Sequence, residues 1–182
     1  MDKRSAYEIE QGLAMVRSAP RDEGVVRLIV RRPGSRLREV LDEAELDVGL
    51  GLVGDDWINR PASKSDRPSP YAQVTLMNAR FTELIAGDQD PDSWAQAGDQ
   101  LYLDLDISQD NLPAGTQLAI GTAVIAMSVE PHTGCASFSE RFGSDALRAT
   151  NTTEGRALRL RGANATIVRS GIVRRGDSVR RA

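Results

Sequence analysis

The sequence predicts a mostly β chain with short helices, an α+β closed or partly closed barrel preceded by an N-terminal helix. Three observations predict it. Leu101, Leu103, Leu105 and Ile107 alternate with Asp104 and Asp106, the period-two pattern of a strand with one buried face. Other apolar runs are equally short and bounded by glycine or proline turns. The helical signals are brief and individually capped, with Asn78 opening one and Gly87 closing it. Many short strands with interspersed short helices suit a barrel with helical decorations. Residues 1–23 read as a helical extension and 24–182 as the barrel domain.

Taken in order, residues 7–18 read as a helix with Ile9, Leu13 and Val16 on one face, closed by Pro20. Residues 24–32 read as a strand ended by Pro33-Gly34. Residues 39–47 are acidic and loosely patterned, a turn or short helix. Gly49, Gly51 and Gly54 precede Asp55, Asp56 and Trp57. No Lys-Ser/Thr follows and two acids would repel phosphate, so this is a structural turn with Asp55 capping backbone N–H groups and Trp57 packed inward. Residues 59–71 are rich in Pro, Ser and charge, a lid-like loop. Residues 73–76 form a short strand, and the capped helix spans 79–86. Residues 101–107 form a strand and 111–115 a turn. Residues 116–120 and 123–129 pair as a hairpin about Gly121. Residues 144–149 and 153–161 read as short helices, capped by Ser144 and by Asn151 or Thr152, with Gly162 closing the second. Residues 163–169 and 177–180 are the last strands.

The one histidine and the one cysteine of the chain, His132 and Cys135, lie three residues apart in Pro131-His132-Thr133-Gly134-Cys135. Phe138 and Phe142 follow at i,i+4 spacing, so Cys135 precedes a helix, where unpaired N–H groups favour a thiolate. Gly134 permits a sharp turn or a close approach to a ligand. A lone cysteine is also often inert packing, and a lone histidine is often structural. Small flanking residues, His132 and Arg141 favour a functional Cys135, with His132 beside it as a second catalytic candidate.

The 182 residues, 40% hydrophobic, suit one compact domain. No apolar run approaches the roughly 20 residues that span a bilayer, and the N-terminus lacks a signal-sequence pattern, so the expected location is cytoplasmic. One cysteine excludes an internal disulfide and a cysteine zinc cage. The net charge of −3 is unevenly spread: residues 141–182 hold ten arginines against three acids. Arg141, Arg148, Arg156, Arg159, Arg161 and Arg169 bear the group suited to forked hydrogen bonds with phosphate or carboxylate. Alternatively they pair with acids of the first 140 residues in a solvated network. Acidic overall balance and sparse aromatics argue against nucleic acid as a partner.

Four motifs together resemble the MOSC family, named for the C-terminal domain of molybdenum cofactor sulfurases. They are Gly51-Leu52-Val53-Gly54-Asp55, the run from Gln73 to Asn78, the run from Asn111 to Thr116 leading to Ile120-Gly121, and Pro131-His132-Thr133-Gly134-Cys135 with Arg141-Phe142-Gly143. They cover roughly residues 24 to 180 in the family's order. The resemblance implies a barrel of the MOSC or pyruvate-kinase type. It implies that Cys135 ligates molybdenum of a pterin cofactor or carries sulfur as a persulfide, two roles a soft, nucleophilic thiolate can fill.

The same resemblance assigns Asp55, Asn78, Thr133, Gly134, Arg141, Arg148 and Arg161 to cofactor binding. It implies a separate cysteine desulfurase or a redox partner, and reduction of N-hydroxylated compounds in the enzyme version. Pyridoxal phosphate is not expected on this chain, which has Lys3 and Lys64 as its lysines. Two departures concern the substrate side: Asp56-Trp57-Ile58-Asn59-Arg60 stands where relatives carry a His-rich segment, and Ser137 where many carry Lys. A third reading is a non-catalytic domain binding a small anion, with Cys135 buried.

Overall fold

The computed structural model describes residues 2–61, 67–134 and 136–182. Cys135 and part of the loop 59–71 therefore lie outside the described residues. The main sheet closes on itself. Its strands are β1 (Glu23–Arg31), β5 (Val74–Asn78), β6 (Leu101–Asp104), β7 (Gln117–Ile120), β8 (Ala123–Met127), β9 (Ala163–Arg169) and β11 (Ser178–Arg181). They run in the order β11-β7-β8-β9-β5-β6-β1, and β1 returns to β11 through Glu23↔Arg180, Gly24↔Val179 and Val25↔Ser178. This is the barrel that the short alternating strands predict. β2 (Glu39–Leu41) extends β1 outside the closure, and β3 (Glu43–Asp47), β4 (Gly51–Leu52) and β10 (Gly171–Arg174) form a second, three-stranded sheet.

Among these pairs only β5 and β6 run parallel, with Leu76 opposite Leu101. Parallel neighbours need a crossover. Here it consists of α2 (Ala79–Ala86) and α3 (Pro91–Ala95). Asn78 caps α2 by accepting from Arg80 N–H and Phe81 N–H, and Gly87 ends it at φ 76°, a conformation that favours glycine.

Two apolar cores follow from the two faces of these strands. Val26, Leu76, Leu101, Leu103, Ile120, Ile125, Ala165 and Val179 fill the barrel. Leu28, Val30, Met77 and Tyr102 face outward beneath a helical layer; in β1 a register shift between Val26 and Leu28 exchanges the two faces. That layer comprises α1 (Ala6–Arg17), α2, α3, α4 (Ala136–Phe142) and α5 (Ser144–Asn151), which contribute Ile9, Leu13, Phe81, Ile85, Trp94, Phe138, Phe142 and Ala146. Each buried large side chain contributes about 1.5–3 kcal/mol. α1 opens on a reciprocal capping box between Ser5 and Glu8.

Four local expectations are corrected. Residues 39–47 are β2 and β3, not a turn or short helix: Ala44 and Leu46 are buried while Glu43 and Glu45 are exposed, a period-two pattern obscured by its acidity. Ser144 does not cap α5; Gly143 occupies that position without a side-chain bond. The helix expected at 153–161 is α6 (Thr153–Ala157), capped by Thr152, and Arg159 at φ 51° breaks its continuation. The strand expected at 101–107 ends at Asp104. Neither β10 nor α3 was expected. Asp55 does cap the turn after β4, accepting from Trp57 N–H, and Trp57 is buried.

Candidate functional site

A cleft of about 690 Å³ opens beside the barrel where β8 leaves the sheet and runs toward α4. One wall is residues 128–134. The facing wall comes from Thr150 and Asn151 of α5, Gly155 and Arg156 of α6, and Arg159, Arg161 and Gly162. Gln109, Pro113 and Ala114 close the rim. Ser128 N–H donates to Asn164 O at 2.9 Å and Asn164 Nδ2 donates to Glu130 O at 3.2 Å, so the departing segment stays tied to β9. Ser69 of the lid-like loop pairs with Glu130 at 2.5 Å.

At one end of the cleft three polar side chains meet. Arg161 Nη1 donates to Asp99 Oδ2 at 2.8 Å, and Nη2 donates to Ala97 O at 3.2 Å. The Arg161 guanidinium also lies 4.9 Å from the centre of the Phe138 ring, a cation–π contact. His132 Nε2 is 2.9 Å from Asp99 Oδ1. Neither atom completes a hydrogen bond, so the contact is close but misdirected. Arg161 Nε is likewise buried without an acceptor.

Burial by itself raises the Asp99 carboxyl; the Arg161 charge first, then His132, outweighs it and holds Asp99 below the usual carboxylate range. Asp99 is thus a buried anion that keeps Arg161 in place and sits beside one edge of the His132 ring. Gly162 makes the contact possible. It sits at φ 100°, and a Cβ there would stand 2.4 Å from Leu76 O, 3.2 Å from His132 Cδ2 and 3.3 Å from Asp99 Oδ1.

The cleft gathers His132, Thr133, Gly134 and Arg161 of the residues singled out from sequence. A Cβ at Gly134 would meet Leu147 Cδ1 at 2.3 Å, so this segment is pressed against α5. The other assigned residues do not line it. Asn78 is buried, with its amide committed to the α2 cap and to Leu105 O at 3.0 Å. Asp55 accepts from Arg32 Nε and Nη2, each at 2.9 Å, in a buried forked pair. Arg148 pairs with Asp145 at the surface. Arg141 donates to Gln96 O at 2.7 Å.

Asp99, Arg156 and Arg159 complete the constellation. Arg159 Nη1 donates to Ile107 O and Leu112 O, at 3.1 and 2.6 Å. Arg156 is exposed, and its guanidinium has no hydrogen bond or ion pair among the described residues. Both belong to the arginine-rich C-terminal quarter that sequence flags. Asp99 has no such signal: it is one of many acids, and its partners come from later in the chain. Among the described residues no cluster of His, Cys, Asp and Glu is arranged to hold a metal ion. No described helix is long and apolar enough to cross a membrane.

The fold is similar to that of the YuaD protein from Bacillus subtilis, at 17% identity, covering 86% of this chain and 94% of that one with a TM-score of 0.64. It is also similar to YiiM from Escherichia coli, at 16% identity over 87% of this chain and 69% of that one with a TM-score of 0.55. YiiM from Geobacillus stearothermophilus matches at 15% identity over 88% and 75%, again with a TM-score of 0.55. At these identities the likeness is one of fold. No family model and no curated protein matches the chain.

Proposed function

We propose that this chain is a MOSC-type module that binds the molybdenum–pterin cofactor in the cleft and holds it through the Cys135 thiolate. The observation that carries this reading is the cleft itself: about 690 Å³, lined by Arg156, Arg159 and Arg161, and walled by the residues that lead in sequence to Cys135. That volume lies within the roughly 300–1,000 Å³ of cofactor sites. It far exceeds what a single carried sulfur atom requires, which favours cofactor binding over the persulfide role. The four ordered motifs support the reading, and so does the fold shared with YuaD and YiiM, which are MOSC-domain proteins.

The donor chemistry of the cleft fits such a group. Arg156 has a free guanidinium fork for a phosphate. The buried, unmet Nε of Arg161 and Nε2 of His132 leave polar capacity at the closed end. When bound, the cofactor would supply a molybdenum centre for oxygen-atom or electron transfer. The chain's own residues would bind and orient it: Arg156 would neutralise the phosphate, Asp99 anchors Arg161, and His132, three residues before Cys135 in sequence, would offer a proton donor or acceptor at the wall. A separate desulfurase or redox partner, and a reductase activity toward N-hydroxylated compounds, belong to the same proposal.

The test is native mass spectrometry on protein purified without oxygen from a host that makes the cofactor, wild type beside Cys135→Ala. A cofactor-sized adduct that disappears in the variant is the expected result. A single-sulfur adduct moves the assignment to sulfur carriage, and a bare mass in both proteins overturns the proposal in favour of a non-catalytic anion-binding domain.

A further inference from the structure

Behind the end of the cleft where Arg161 meets Asp99, the loop 96–98 between α3 and β6 receives guanidinium groups from four arginines. Arg141 Nη1 donates to Gln96 O at 2.7 Å, Arg161 Nη2 to Ala97 O at 3.2 Å, and Arg32 Nη1 to Gly98 O at 3.0 Å. Arg38 packs on the same loop: a Cβ at Gly98 would stand 3.1 Å from its Nη2. Two of the four have a buried carboxylate. Arg32 is paired with Asp55 and Arg161 with Asp99.

Arg38 and Arg141 have no ion pair among the described residues. Arg38 is half-buried; its Nη1 donates to Leu37 O at 2.6 Å, and its Nε is buried with no acceptor at all. Neighbouring acids are already engaged, since Asp56 holds Arg60 and Asp55 holds Arg32. Burial first, then repulsion by Arg141, Arg32 and Arg60, pushes the Arg38 guanidinium below the usual arginine range. A partly buried cation with an unmet N–H and cationic neighbours is stabilised by an anion that supplies both charge and acceptor oxygens.

We propose that Arg38 and Arg141, gathered on the loop 96–98, form a binding site for a phosphate dianion, free or as a phosphomonoester, separate from the cleft. Two guanidinium forks held by backbone carbonyls present their remaining N–H groups to a tetrahedral oxyanion. Arg32 and Arg60 add positive potential without giving up their own aspartates. The site stands on side chains that do not line the cleft, so it holds whether or not a pterin binds there.

The test first weakens the cleft as a phosphate site. In an Arg156→Gln background, calorimetric titration at low ionic strength with inorganic phosphate, and separately with a small phosphomonoester, is compared with and without a further substitution at Arg38 or Arg141, which isolates this site's share. Binding is expected to persist in Arg156→Gln and to weaken at least about tenfold, the effect of losing a hydrogen bond to a charged group, when Arg38→Gln or Arg141→Gln is added. Tighter binding of the monoester identifies the end group of a larger ligand; equal binding identifies the free ion. Arg38→Lys, which keeps the charge and loses the fork, should bind between the two and guards against misfolding of the glutamine variant. Phosphate binding that is absent in Arg156→Gln, or unchanged by both further substitutions, overturns the proposal.

Discussion

Asp99 and Arg161 lie 62 residues apart in the chain and meet as a buried ion pair, Nη1 to Oδ2 at 2.8 Å, with no more than 9% of either side chain exposed. The pair joins the loop before β6 to the segment before β9, two stretches that no local pattern links. Because the rest of the site is arranged around it, its removal should be felt both in stability and in the cleft.

Asp99→Asn leaves Arg161 buried without a counter-ion and should destabilise the fold by about 3–5 kcal/mol. Asp99 is held below its unfolded value, near 3.8, so its contribution is complete above that pH and is lost as pH falls through the folded value. Urea unfolding of both proteins from neutral pH to about pH 3 checks this. The gap in stability should be constant down to weakly acid pH and then close; a gap that widens on acidification contradicts the assignment.

Gly162→Ala places a methyl group against Leu76 O, His132 and Asp99. The left-handed backbone alone costs an ordinary residue about 1–2 kcal/mol, and the close contacts add to that. Reduced stability should come with a displaced His132, visible as changed chemical shifts of the imidazole protons by NMR. Imidazole chemical shifts unchanged in the folded variant would show that the ring does not depend on this glycine.

Asn78→Ala removes the acceptor for two N–H groups at the start of α2 and leaves Leu105 O unmet. The lost cap costs about 1–2 kcal/mol, and the orphaned carbonyl about 1–3 kcal/mol more. Denaturant midpoints measure the sum. Cofactor retention in the surviving folded protein should match wild type, because this amide is fully committed to backbone.

Arg156→Gln removes the unpaired guanidinium of the cleft. Stability should stay within about 0.5 kcal/mol, as for an exposed residue without partners. The fraction of protein carrying the cofactor adduct in native mass spectra should fall, and fall further as salt is raised. Retention equal to wild type would place the cofactor phosphate elsewhere.

The barrel was readable wherever strand periodicity and caps were undisguised. The strand read at 73–76, with Asn78 capping the helix that follows, is one example, and the hairpin about Gly121 is another. β2 and β3 were missed because Glu39, Glu43 and Glu45 gave the segment the appearance of a solvated turn. β10 was missed for a similar reason: four residues with one fully buried, Val173, carry little pattern of their own. In the candidate site, His132, Gly134 and Arg161 could be marked in advance because their types are scarce or their cluster is unusual. Asp99 could not, since its meaning comes from Arg161 and His132 arriving through tertiary folding. Arg38 was hidden likewise, among arginines whose partners only the folded chain reveals.

The pairing of β11 with β1 has a consequence for how the chain comes off the ribosome. Until Ser178–Arg181 has emerged, β1 and β7 each keep an unpaired edge on the side β11 will occupy. The barrel is thus a ring completed by β11, and its closing contacts join residues as distant as Glu23 and Arg180, a topology that folds slowly. During that interval the open edges are surfaces on which another nascent chain could pair. The arginines at 180 and 181 place like charge on the closing strand, which discourages the same strand of a neighbouring molecule from filling the gap.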